Sequence, residues 1–157
     1  MNKDAMKEWI ESWENRAPQV YPDSAGHPTI GVGFNLDRAD APQKIAALGL
    51  DYSDVREGRV TLNDAQIEQL FDADVDQAIA DSRRIVSNFE TIPESKQKVV
   101  VDMVFNLGAA GFAGFHNTIQ AIENEDWQTA AQEMQNSRWY SQVKDRGVAD
   151  VDVMAEA

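Results

Sequence analysis

A chain of 157 residues with 43% hydrophobic content is long enough for one domain that buries roughly 68–70% of the surface of its unfolded chain, so no disulfide scaffold is needed. Cysteine is absent and only His27 and His116 are present, which excludes disulfides, thiolate metal sites and a cysteine nucleophile, and leaves little for a zinc centre. Fourteen basic against 27 acidic residues give a net charge of −13, which repels nucleic acid and anionic membranes and points to solubility or a saline working environment.

The N-terminal stretch is charged throughout and no apolar run reaches about 18 residues, so the sequence predicts neither a signal peptide nor a membrane span. Met6, Trp9, Ile10 and Trp13 recur at i, i+3, i+4 and i+7 and predict a helix ending near Glu14, with Asn15 in a left-handed position and Pro18 preventing continuation. Turn formers between Val20 and Gly33 separate two short β-favouring runs and predict a β-hairpin. Further short strands are expected through Phe34 and Leu36 and near Arg59-Val60. Thr61-Leu62-Asn63-Asp64 reads as a capping box with Asp64 in place of the usual Glu, and Ile67, Leu70, Phe71, Val75, Ala78 and Ile79 keep helical spacing over about five turns.

After Pro93 the run from Val99 to Leu107 is apolar on nearly every side, as in a helix at a domain centre, and Gly108 stops it. A helix near 117–123 follows. Asp126 caps another that carries Trp127, Ala130, Ala131 and Met134, and Trp139-Tyr140 begin a short one. The pattern predicts a mainly helical α+β domain over 1–157. It has a small lobe over about 16–60, a linking helix over about 62–82, and a helical lobe over about 83–157 joined by the first helix, with a ligand cleft across the linking helix.

Two acids stand out by position. Glu14 at a helix C-terminus feels the negative end of the dipole, and packing beside Trp13 removes it from water; both favour a carboxyl that keeps its proton. Asp23, in a turn among backbone amides, favours the ionised form. Contrasting carboxyl environments are the pattern of glycoside hydrolysis, while the bland alternative for Glu14 is a salt bridge, for instance with Arg146. Asp72, Asp74 and Asp76 imitate a calcium loop but lack its glycine and its final Glu, and read as a helix surface. Gly31-Val32-Gly33 lacks the rest of a dinucleotide fingerprint, and His27 reads as an exposed turn residue.

The string Glu14, Tyr21-Pro22-Asp23, Gly26 and Thr29-Ile30-Gly31-Val32-Gly33 resembles the active-site signature of the T4-type phage lysozymes, glycoside hydrolase family 24. Asp102 to Gly108, Gly111 to Phe115 and Ser137-Arg138-Trp139-Tyr140 resemble that family's helical lobe, and the likeness covers about residues 6–146. It implies a lysozyme-like two-lobed fold and hydrolysis of the β-1,4 bond between N-acetylmuramic acid and N-acetylglucosamine in bacterial peptidoglycan, with no cofactor or metal.

By position, Glu14 would be the general acid, and Asp23 with Thr29 would handle the attacking water in an inverting scheme. Asn35, Phe105, Thr118 and Glu133 would line the saccharide site, supported by Asn106 and by Arg146, the arginine that pairs with the catalytic Glu in that family. The resemblance further implies a monomeric endolysin held in the host cytoplasm until a holin gives it access to the wall. An idle saccharide- or protein-binding module of a phage tail or bacteriocin, and a chitinase-like enzyme, are the alternatives. Asn15 in place of the usual Gly, Phe34-Asn35 in place of a His, and an acidic C-terminal tail depart from the family pattern.

Overall fold

The computed structural model describes all 157 residues. Helix α1 (Lys3–Trp13) leads into strands β1 (Arg16–Pro22), β2 (Pro28–Val32) and β3 (Phe34–Asn35). Helices α2 (Ala41–Ala47), α3 (Tyr52–Arg56), α4 (Asp64–Ile85), α5 (Glu94–Ala113), α6 (His116–Glu123), α7 (Trp127–Gln135), α8 (Arg138–Val143) and α9 (Asp145–Ala155) follow. The fold is mainly helical α+β with one three-stranded antiparallel sheet, as the patterning predicts. No single helix is long and apolar enough to cross a membrane.

The chain forms two compact units, one of residues 11–74 and one of residues 1–10 with 75–157. In the unit of residues 11–74, β1 pairs with β2 from Arg16↔Val32 to Pro22↔Pro28, and β2 pairs with β3 through Thr29↔Asn35 and Ile30↔Phe34. The register of β1 slips between Ala17 and Tyr21. Pro18 lies in that irregular stretch, where a residue without an N–H costs no ladder bond, and its carbonyl accepts the Leu62 N–H at 2.8 Å. Ile30, Val32, Phe34 and Leu36 are buried with Ile45, Val55, Ile67, Leu70 and Phe71, so one small core seats the sheet against its helices. Arg16 fastens β1 to α4, reaching Asp64 and Glu68, and also holds Glu11.

Several elements differ from expectation. Helix α1 ends at Trp13, and Asn15 is not left-handed: the non-glycine residues with positive φ are Glu125 and Lys144. The chain instead passes directly into the extended β1, with the Asn15 amide beside the Tyr21 hydroxyl. No strand forms at Arg59-Val60, because the Arg59 N–H closes the turn after α3 on the Asp54 carbonyl. The cap of α4 is Asn63 rather than Thr61: Asn63 Oδ1 accepts the Gln66 N–H at 2.8 Å while Gln66 Oε1 accepts the Asn63 N–H at 2.9 Å. Helices α2, α3 and α9 add to the elements that the sequence predicts.

In the unit of residues 1–10 and 75–157, α5 is the central helix, with Val99, Val100, Val101, Met103 and Val104 all buried. Gly108 breaks it at φ 78°, ψ 161°, a conformation open to glycine, and a short helical segment resumes to Ala113. Asp126 caps α7 by accepting the Thr129 N–H, and Ser137 caps α8 through Tyr140 N–H. The buried ammonium of Lys96 donates to the carbonyls of Val153 (2.6 Å) and Glu156 (2.5 Å), satisfying the C-terminal carbonyls of α9 with a cation at the negative end of the helix. The three acids of the imitation calcium loop lie along α4, where Arg38 holds Asp74 and Lys3 holds Asp76.

Candidate active site

Glu14 follows the last turn of α1 and precedes β1, so its side chain leaves the backbone at the Arg16↔Val32 end of the hairpin. There its carboxyl rests on Gly33. A Cβ added at Gly33 would lie 2.5 Å from Glu14 Oε2 and 3.0 Å from Cδ, and Gly33 has φ +66°. The glycine therefore serves twice: it turns β2 into β3 in the left-handed region, and it leaves the volume that the carboxyl occupies. Gly33→Ala is expected to displace that carboxyl and to reduce turnover by about 10²-fold, the cost of an ångström-scale misplacement. Assayed by wall-lysis rate and thermal melting, activity should fall far more than stability, and unchanged activity would show that this seat does not matter.

At the other end of the hairpin the turn is fixed by Asp23. Its Oδ1 accepts the N–H groups of Ala25 (2.9 Å) and His27 (2.8 Å), and its own N–H donates to the His27 carbonyl at 2.9 Å. Thr29, 4% exposed, donates its hydroxyl to the same His27 carbonyl at 3.0 Å. One carbonyl oxygen thus ties the main chain of Asp23 to the side chain of Thr29. Because the Thr29 proton is engaged there, its Oγ1 lone pairs can only accept, which suits holding one hydrogen of a water molecule.

Tyr21 stands directly across from Thr29 in the ladder. Burial pushes its phenol up from the ordinary value, the Asn15 amide opposes this, and the charges of Glu14 and then Asp23 add to it. Both acids therefore act on one phenol. His27 is exposed, with Nδ1 3.4 Å from Asp37 Oδ2, and Asp37 is held below the usual carboxylate range by Arg56 first and by His27 second. Phe34 is buried beneath the Arg38 guanidinium, 4.3 Å from its ring centroid, and Arg38 in turn grips Asp40 and Asp74. At Asn35, Oδ1 accepts the Asp37 N–H at 2.8 Å, so this side chain shapes the turn after β3.

In the unit of residues 1–10 and 75–157, Thr118 and Glu133 come together in one cavity of about 370 Å³ between α6 and α7, which also takes in His116, Asn117, Asn136 and Ser137. Its donors and acceptors, beside Phe115, suit a polar ligand with an apolar face. Phe105 is half-buried on α5 and does not line that cavity. Asn106 Oδ1 accepts the Trp139 indole N–H at 3.0 Å, so it supports α8. Arg146 is held by Asp102, through Nε at 3.0 Å and Nη2 at 2.7 Å. Sequence reading missed the seat at Gly33 and the Asp102–Arg146 pair; for Gly33 the signal was a glycine at a strand-to-strand corner.

Asp23 and Thr29 thus lie at the turn end of one hairpin and Glu14 at its open end, in a fold that is lysozyme-like. The model of the family described as phage lysozyme matches residues 11–150, and the chain belongs to that family. Among its relatives, "Probable T4-type lysozyme 2" of Dictyostelium discoideum is 25% identical, over 90% of this chain and 88% of that protein. The "Pre-baseplate central spike protein Gp5" of Enterobacteria phage T4 is 27% identical over 90% of this chain and 26% of its own length. The "Peptidoglycan hydrolase gp36" of Pseudomonas phage phiKMV is 28% identical over 93% of this chain and 14% of its own length.

Proposed function

We propose that the chain is a muramidase, cleaving the β-1,4 bond between N-acetylmuramic acid and N-acetylglucosamine in bacterial peptidoglycan. The observation that carries this reading is the hairpin. Asp23 and Thr29 share the His27 carbonyl at one end, and the Glu14 carboxyl sits on Gly33 at the other. Family membership and relatives named as lysozymes or a peptidoglycan hydrolase support the substrate class.

In this reading Glu14 gives its proton to the leaving glycosidic oxygen as the bond breaks and positive charge develops on the sugar ring. A water on the opposite face directs one hydrogen to Asp23 and the other to Thr29 Oγ1, which aims its lone pair at the anomeric carbon. Asp23 takes the water's proton. Asn35, Phe105, Thr118 and Glu133 are proposed to contact the glycan. Thr29 lies near the turn end of β2 and Gly33 just past its other end. Acids attached near the two ends favour the wider separation of inverting sites over the close pair that forms a covalent intermediate.

The protein is proposed to act as an endolysin that reaches the wall from the host cytoplasm. The second reading, an idle saccharide-holding module of a phage particle, draws on the relatives in which a matching segment is a minor part of a longer protein. That module has no chemical use for Glu14, Asp23 and Thr29 together.

Digests of purified sacculi, with chitin oligomers in parallel, test the proposal. The expected products carry reducing-end muramic acid, released as the α anomer by NMR. Reducing-end glucosamine, an initial β anomer or preferential chitin cleavage would overturn, respectively, the bond, the stereochemistry or the substrate. Thr29→Val keeps the shape but removes the acceptor, and it is expected to lower kcat about tenfold with KM unchanged, the value of one hydrogen bond realised in the transition state. Unaltered kinetics would remove Thr29 from the water site.

A further inference from the structure

The unit of residues 1–10 and 75–157 contains a charge cluster that the proposed chemistry does not use. Asp102 on α5 and Asp150 on α9 are both completely buried, and the charge of Asp102 acts on the Asp150 carboxyl. Arg146, one turn before Asp150 on α9, is 5% exposed and places its fork on Asp102. The Trp9 indole N–H from α1 donates to Asp150 Oδ1 at 3.0 Å, whereas Asp150 Oδ2 is buried with no donor to accept from. Lys98, one turn before Asp102, sits on the face of the Trp9 ring, 4.2 Å from its centroid.

Two buried carboxyls therefore share one guanidinium. Two carboxylate oxygens in contact repel, while a carboxyl and a carboxylate in contact form a hydrogen bond through the proton. A proton on Asp150 removes the charge from a carboxyl whose Oδ2 has no donor, and leaves Oδ1 to accept from Trp9. We propose that Asp102 and Asp150 hold one proton between them, and that this proton ties α1, α5 and α9 together as a device that loosens in alkali.

Burial, followed by the contact with Asp102, pushes Asp150 up to about 10. The sign follows from proton linkage. In the unfolded chain the carboxyl ionises near pH 4, whereas burial raises its folded-state value far above that, so the stabilisation is complete below pH 4 and is lost as pH rises through the raised value. One retained proton makes the unfolding constant rise as much as tenfold per pH unit in that window.

Thermal and urea unfolding between pH 5 and 9 of wild type, Asp150→Asn and Asp102→Asn provides the test, with aspartate side-chain 13C NMR as the direct readout. The amide of Asp150→Asn can donate to Asp102 and accept from Trp9, so this variant should lose the tenfold-per-unit slope and become the more stable protein above neutrality. Asp102→Asn keeps Asp150 buried but removes the neighbouring carboxylate, so it should lessen the slope without abolishing it. The wild-type NMR spectrum should show one aspartate carboxyl that does not ionise between pH 5 and 8. Parallel slopes in all three proteins, or every aspartate ionised by pH 6, would overturn the proposal. None of these readouts requires catalysis, so the result stands apart from the proposed muramidase activity.

Discussion

Glu14→Gln is expected to abolish wall hydrolysis while leaving the fold intact. A general acid contributes about 10²–10⁴-fold to rate, and the amide of this variant cannot give a proton to a leaving oxygen. It does match the carboxyl in size, so it fills the volume that Gly33 leaves open and disturbs neither the Arg16↔Val32 end of the hairpin nor the core beneath it. Turnover on sacculi should therefore drop by at least about a hundredfold with an unchanged circular dichroism spectrum. Substrate affinity should stay near wild type, because the loss falls on the chemical step. A fall in affinity with kcat retained would instead make Glu14 a binding residue.

The largest effect on stability should come from Arg146→Met. The Arg146 and Asp102 side chains are 6% and 0% exposed, so removing the cation leaves a carboxylate with no route to water. Losing one partner of such a pair costs about 3–5 kcal/mol, whereas exchanging both partners for apolar groups is often neutral. For a chain of this size the single substitution should lower Tm by about 10 °C or more, and Asp102→Leu/Arg146→Met should recover most of the loss. Differential scanning calorimetry at pH 7 measures both. A double variant no better than the single one would place the contribution of Arg146 in its packing rather than in its charge.

The elements that were legible in the sequence are those whose burial is apolar and periodic. Helix α1, the hairpin, α4 and the central α5 all follow from spacing. Helix α9 did not, because Arg146 and Asp150 belong to its buried face and read in sequence as an acidic, solvated tail. Helices α2 and α3 were passed over because each is five to seven residues long with a single apolar buried anchor beyond Ala41, Ile45 in one and Val55 in the other. Glu14, Asp23 and Thr29 stand out through the likeness of their string to the family signature, whereas position alone says little, because polar side chains at helix ends and turns often have a structural task, as Asp23 does here. What spacing did not reveal was contact between distant segments. Examples are the Glu14 carboxyl on Gly33 and the Asp102–Arg146 pair between α5 and α9.

The account rests on Glu14 acting as the acid in peptidoglycan cleavage. The most direct measurement is reducing-sugar release from purified Gram-negative sacculi by wild type and Glu14→Gln in parallel, over a series of salt concentrations. The series is needed because a protein of net charge −13 repels an anionic wall until ions screen it, over about 8 Å at physiological strength. Wild type should release reducing sugar, more as repulsion is screened, and Glu14→Gln at least about a hundredfold less at every salt. Equal release by both proteins would contradict the role of Glu14, and none from either at any salt would contradict the enzyme itself.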